Sequence, residues 1–139
     1  MSKQHILIVD DNEDIIEALS FVLREEGFPV KTSGNGKTLL QLVDSAEARE
    51  MPGAIILDVL LSGYDGRELA LALKKNPLTA NIPLILISAH PNVSTSIDKK
   101  MVDVFLPKPF DIEELVTHIQ QLIGDNKFSR SSASGVSQR

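Results

Sequence analysis

Four apolar runs in this chain each lead into residues that can do chemistry. Ile6–Val9 leads into Asp10 and Asp11, Ala54–Leu57 into Asp58, Ile82–Ile87 into Ser88, and Val104–Leu106, across Pro107, into Lys108. If the runs are neighbouring parallel strands, three carboxylates, a hydroxyl and an ammonium gather at one sheet edge. Two carboxylates about 4 Å apart repel by roughly 4 kcal/mol at an effective dielectric near 20. Such a cluster needs a proton or a cation. With oxygen donors alone the natural cation is Mg²⁺, with Mn²⁺ as a substitute; Mg²⁺ keeps waters and takes one or two carboxylates plus a phosphate oxygen. Aspartate is also a nucleophile toward phosphorus. Lys108, the Ser88 hydroxyl and the cation would then balance charge on the transferring oxygens.

The elements that must position these residues are legible from periodicity. His5–Val9 is short, apolar and β-branched, as a buried strand is. Residues 12–26 read as a helix with Ile15, Ile16, Leu19, Val22 and Leu23 at helical spacing, capped by Asn12 or Asp11 and ended by Gly27. Pro29–Thr32 reads as a second strand, followed by a turn at Ser33–Gly36 and a helix near 36–48. Strand Ala54–Leu57, a loop over Ser62–Gly66 and helix Arg67–Lys75 come next, then strand Ile82–Ile87. Residues 92–101 carry a helical spacing in poor helix formers. Asp103–Leu106 is the fifth strand, and Asp111 with Glu114 opens a last helix that runs to about Ile123. Five strands alternating with five helices predict an α/β fold with a parallel sheet covered on both faces. A flavodoxin-like doubly wound (βα)5 arrangement, order 2-1-3-4-5 along the chain, puts the ligand crevice between the first and third strands.

Composition bounds the function. The chain has 139 residues, enough for one domain with a real core, predicted over 4–124. Residues 125–139 are Ser-rich and predict a disordered tail. A net charge of -5 argues against nucleic acid as a direct partner. The absence of cysteine excludes disulfides and thiolate chemistry. No apolar run nears the roughly 20 residues that cross a bilayer, and the N-terminus lacks a secretory apolar stretch. The expectation is a cytoplasmic protein without a membrane partner. His5, His90 and His118 lack metal-ligand spacing.

Taken in order, the acidic pair Asp10-Asp11, Asp58, the Gly63-Tyr64-Asp65-Gly66 loop, Ser88-Ala89 and Lys108-Pro109-Phe110 resemble the receiver domain of bacterial two-component response regulators, in a stand-alone form. The resemblance covers residues 4–124. It implies that Asp58 is the phosphoacceptor. Asp11 would bind Mg²⁺ directly, Asp10 mainly through water, and the Leu60 carbonyl would be a third protein ligand. Ser88 would bond a phosphoryl oxygen, and Lys108 would pair with Asp58 or its phosphate. Phe105 would be the switch aromatic, turning inward as Ser88 moves, and Lys108–Pro109 would be a cis bond. The implied donor is a sensor histidine kinase or a histidine phosphotransfer protein. The implied downstream target is a protein that binds the face of the fourth helix, fifth strand and fifth helix, and a homodimer is a further expected partner arrangement. The domain would catalyse only its own phosphorylation and dephosphorylation, so it is not an enzyme in the usual sense.

Some positions depart from the family pattern. Ser62 stands where proline is common, and Met101-Val102-Asp103 replaces Gly-Ala-Asp. The Ser88–Lys108 segment is slightly short, which predicts a short or irregular fourth helix. Leu60 and His90 occupy the two variable positions that influence phosphoryl lifetime in the family: Leu60 cannot position an attacking water and the bulky His90 would screen the phosphoryl group, so the expected aspartyl-phosphate is longer-lived than in chemotaxis-type receivers. Simpler readings exist for each residue alone: a helix cap at Asp10-Asp11, a solvated Lys108, an ordinary strand end at Ser88. A phosphorylation-independent interaction module is the alternative for the whole. A phosphatase of the aspartate-nucleophile kind would need an acid at Leu60.

Overall fold

Burial on both faces decides which apolar runs become central strands. The computed structural model describes residues 4–44, 51–61, 63–89 and 102–124. In it β1 (Ile6–Val9), β3 (Ala54–Asp58) and β6 (Leu84–Ser88) are buried at every position. The flanking strands β2 (Val30–Ser33) and β7 (Val104–Pro107) are partly exposed, as sheet edges are. All five pair in parallel, in the order β2-β1-β3-β6-β7. Setting aside a small hairpin, that is the expected 2-1-3-4-5 order.

Side chains alternate across the sheet, so each central strand feeds two cores. Ile6, Ile8, Ile56, Ile85 and Ile87 pack on one face with Leu19 and Leu23 of α1 (Glu13–Glu25) and with Leu115, Val116 and Ile119 of α4 (Ile112–Ile119). Leu7, Val9, Leu57, Leu84 and Leu86 pack on the other with Leu39 and Leu42 of α2 (Lys37–Asp44) and with Leu69, Ala70 and Leu73 of α3 (Gly66–Lys75). Each fully buried side chain of this size contributes roughly 1.5–3 kcal/mol, which fixes the strands between the two layers.

Local chemistry sets the element ends. Asn12 caps α1, its Oδ1 accepting the N–H groups of Asp14 and Ile15 at 3.0 and 3.3 Å. Gly27, at φ 94°, turns the chain out of that helix in a conformation costly for other residues. The expected strand Ile82–Ile87 starts instead at Leu84. Asp103, expected as the first residue of the fifth strand, instead accepts the Leu84 N–H on its carboxylate at 2.8 Å, and β7 begins one residue later. The expected last helix is α-helical only to Ile119 and closes with a π turn over Gln120–Gly124.

The largest correction lies after β3. The expected loop over Ser62–Gly66 is instead closed by a short antiparallel pair, β4 (Leu60–Leu61) with β5 (Tyr64–Asp65), and α3 starts directly at Gly66. The expected helix over 92–101, the end of the helix near 36–48 and the tail at 125–139 fall outside the described residues. Among the described residues no helix is long and apolar enough to cross a membrane.

Candidate functional site

Parallel topology brings the carboxyl ends of β1, β3, β6 and β7 to one edge, and the polar residues arrive there with them. Asp10 follows β1 directly. Its N–H donates to the Ser33 carbonyl at 3.1 Å, and its Oδ1 accepts the Asn12 N–H at 2.9 Å. The residue is fully buried, whereas Asp11 is exposed. Asp58 closes β3, in register one place beyond Leu57, the partner of Val9. One carboxylate oxygen from each of Asp10, Asp11 and Asp58 lies within 4.8 Å of the others.

Lys108 answers that density of charge. Its Nζ lies 3.2 Å from Oδ2 of Asp58 and 3.2 Å from Oδ2 of Asp10. The first contact is a hydrogen bond. The second has ion-pair distance without hydrogen-bond geometry, so the buried Asp10 Oδ2 has no donor. The Leu60 N–H donates to Asp58 Oδ1 at 3.3 Å. Burial pushes the Asp58 carboxyl above the usual carboxylate range, and the Asp10 charge adds to this; Lys108 and the Leu60 N–H oppose it without cancelling it.

Ser88 ends β6, fully buried, and its carbonyl accepts the Lys108 N–H at 2.7 Å. The serine and the lysine are thus tied through the backbone. Phe105 lies on β7 opposite Leu86, half-buried against the core under α2 and α3. Leu60 is 51% exposed beside Asp58. The Lys108–Pro109 bond is cis. His90 lies outside the described residues.

The donor set suits a hard divalent cation. It is all oxygen, it concentrates negative charge, and it includes a buried acceptor without a donor, the kind of group that ordered water or an ion satisfies. The same edge carries the Lys108 ammonium and the Ser88 hydroxyl. A carboxylate nucleophile, a cation position and two groups able to stabilise developing negative charge are thereby collected in one place.

Two features of the site were not read from the sequence. One is the pairing of Lys108 with Asp10 as well as Asp58. The other is the junction at Asp65-Gly66. The Gly66 N–H donates to the Val59 carbonyl at 2.6 Å, and a Cβ on Gly66 would lie 2.5 Å from the Asp58 carbonyl oxygen. Only glycine permits helix α3 to start against the phosphoacceptor candidate's own backbone. Asp followed by Gly ahead of an apolar helical stretch is the signal that could have found this helix start.

A family model described as the response regulator receiver domain matches residues 6–120. The uncharacterized transcriptional regulatory protein YkoG of Bacillus subtilis is 36% identical over 129 residues, covering 91% of this chain and 54% of that protein. Response regulator MprA of Mycobacterium leprae is 32% identical over 124 residues, covering 88% of this chain and 52% of that protein. The chain therefore spans about half the length of these curated relatives. Among solved structures, response regulator TrrA of Thermotoga maritima, in complex with Mg²⁺ and BeF, superposes with a TM-score of 0.74 at 28% identity, covering 86% of this chain and 99% of that one. The signal receiver domain of a signal transduction histidine kinase from Syntrophus aciditrophicus gives 0.76 at 31% identity, covering 89% and 92%. Sequence, fold and strand-edge geometry agree: this chain belongs to the response regulator receiver domains of two-component systems.

Proposed function

We propose that the chain accepts a phosphoryl group on Asp58 and passes the change on through protein contacts. An Asp58 carboxylate oxygen attacks phosphorus, the P–N bond to a donor phosphohistidine breaks, and the imidazole nitrogen keeps the electron pair. The observation that carries this reading is the surroundings of Asp58: a buried carboxylate held by Lys108 and by the Leu60 N–H, within reach of two further carboxylates. Asp10, Asp11, Asp58 and the Leu60 carbonyl would hold Mg²⁺, which when bound supplies positive charge to the phosphoryl oxygens. Lys108 keeps Asp58 in place before transfer and can follow an oxygen of the phosphoryl group afterwards. The Ser88 hydroxyl is the neutral donor for another oxygen. Because Ser88 and Lys108 share a backbone hydrogen bond, a move of one is felt by the other and by β7, where Phe105 would report it.

The donor would be a sensor histidine kinase or phosphotransfer protein in the cytoplasm. Its approach has a shaped entry. An apolar groove of about 400 Å³, lined by Ile15, Ala18 and Leu19 of α1 and by Pro109, Phe110 and Ile112, opens beside Lys108. Output would use the β7 and α4 side.

The test is incubation with acetyl phosphate or phosphoramidate and Mg²⁺, followed by intact mass. The expected result is a gain of one phosphate that vanishes in Asp58→Asn and with chelator. No gain, under conditions that label a control receiver, would favour a phosphorylation-independent interaction module.

A further inference from the structure

The segment that follows Asp58 is closed by a small clamp. Leu60, whose N–H holds Asp58 Oδ1, pairs across the hairpin with Asp65. Asp65 is also the N-cap of α3, accepting the Arg67 N–H on Oδ1 at 2.9 Å. The Arg67 guanidinium then grips the same carboxylate with two bonds, Nε to Oδ1 at 3.0 Å and a second nitrogen to Oδ2 at 2.7 Å. Behind this, the Gly66 N–H is bonded to the Val59 carbonyl. One residue is thus hairpin partner through its backbone, and helix cap and half of a forked ion pair through its carboxylate.

A surface ion pair between long, free side chains does little, but bidentate arginine–carboxylate geometry on an already fixed cap is the exception. The guanidinium holds the Asp65 carboxyl below the usual carboxylate range, so the pair is ionised at neutral pH. A strand of two residues cannot fix itself, since isolated short hairpins are marginal in water. Its register depends on what locks its ends, and at the end that enters α3 the side-chain lock is Asp65 with Arg67, alongside the backbone bond from Gly66 to Val59.

We propose that Asp65 and Arg67 are positioning residues for the Asp58 site. They fix β5, β5 fixes Leu60, and Leu60 fixes the orientation of the Asp58 carboxylate toward the cation and the incoming phosphoryl group. The proposal rests on the reading of Asp58 as phosphoacceptor and adds to it how the carboxylate is aimed.

The discriminating variant is Arg67→Lys, which keeps the charge and loses the fork. Its partner is Asp65→Asn, which keeps a capping side chain and loses the ion pair. Lys75→Gln, an exposed change on the same helix, is the control. Two quantities are read on the full chain: the Leu60 and Asp58 amide resonances without metal, and the Mg²⁺ dissociation constant by titration. Thermal melting accompanies both. In Arg67→Lys and Asp65→Asn the amides should shift and Mg²⁺ should bind roughly tenfold more weakly, as loss of a supporting hydrogen-bond partner does at metal sites. Tm should stay near the wild-type value, and the control should match wild type throughout. Amides that stay in place in Arg67→Lys, or unchanged Mg²⁺ affinity there, overturn the clamp while leaving the phosphoacceptor reading intact. A wild-type chain that binds no Mg²⁺ and takes no phosphate overturns both.

Discussion

Asp58 is under opposed influences, and burial together with the Asp10 charge prevails over Lys108. A carboxyl whose pKa is higher in the folded state binds more protons there than in the unfolded chain. Its contribution to stability is complete below the unfolded value of 3.8 and is lost as pH rises through the folded value. Ionised Asp58 therefore strains the fold at neutral pH. In chelator at pH 7, Asp58→Asn should raise the Tm read by thermal denaturation. The gain should shrink as pH falls toward 3.8, and a pH-independent gain would contradict the assignment. Leu60 has a different bearing on the site. Exposed beside Asp58, it offers no group to orient an attacking water. Leu60→Asn and His90→Glu should each shorten the acyl-phosphate lifetime, about tenfold if the new group acts as a general base or water-positioning group. Decay that is unchanged or slower in both would show that these positions do not set the timing.

Elements were legible where burial is two-sided. Ile6–Val9, Ala54–Leu57 and Leu84–Ile87 read as strands because both faces are apolar; the same uniformity hid where β6 begins, since Ile82 and Pro83 look no less apolar than Leu84. The hairpin after Asp58 was not legible, because strands of two residues carry no alternation to detect. The Asp65–Arg67 pair escaped for a related reason. Residues two apart do not face one another on a helix, but Asp65 lies just outside α3 and Arg67 folds back over it. The site was legible in its four strand ends because a parallel sheet puts every carboxyl end on one edge. The double use of Lys108 depends on side-chain reach, which spacing does not encode. A Cβ on Gly66 would meet backbone at 2.5 and 2.7 Å, which no side-chain rotation relieves. Gly66→Ala should cost about 2–4 kcal/mol in urea denaturation and should also reduce phosphorylation of whatever remains folded. Full stability in that variant would mean that α3 can start elsewhere.

Across the whole molecule, the sheet separates two cores that share strands but not side chains. Substitutions on opposite faces should therefore add, and substitutions on one face should couple. Leu69→Ala with Ile119→Val is expected to add within about 0.5 kcal/mol, while Leu23→Ala with Ile119→Val should depart from additivity by more than that. Double-mutant cycles in urea measure both, and equal coupling in the two pairs would show that the sheet transmits packing changes freely. The uniform apolar character of β1, β3 and β6 has a further effect. A slip of one residue would exchange one apolar set for another across the sheet, so hydrophobicity alone says little about alignment. What distinguishes the correct pairing is the polar end of each strand. A slip would carry the buried Asp58 and Ser88 away from the groups they meet at this edge, at the high cost of an unsatisfied buried group. The residues proposed for the chemistry would thus also serve as alignment marks during folding, and a variant that replaces them with apolar residues would lose fidelity of strand pairing along with the proposed reactivity.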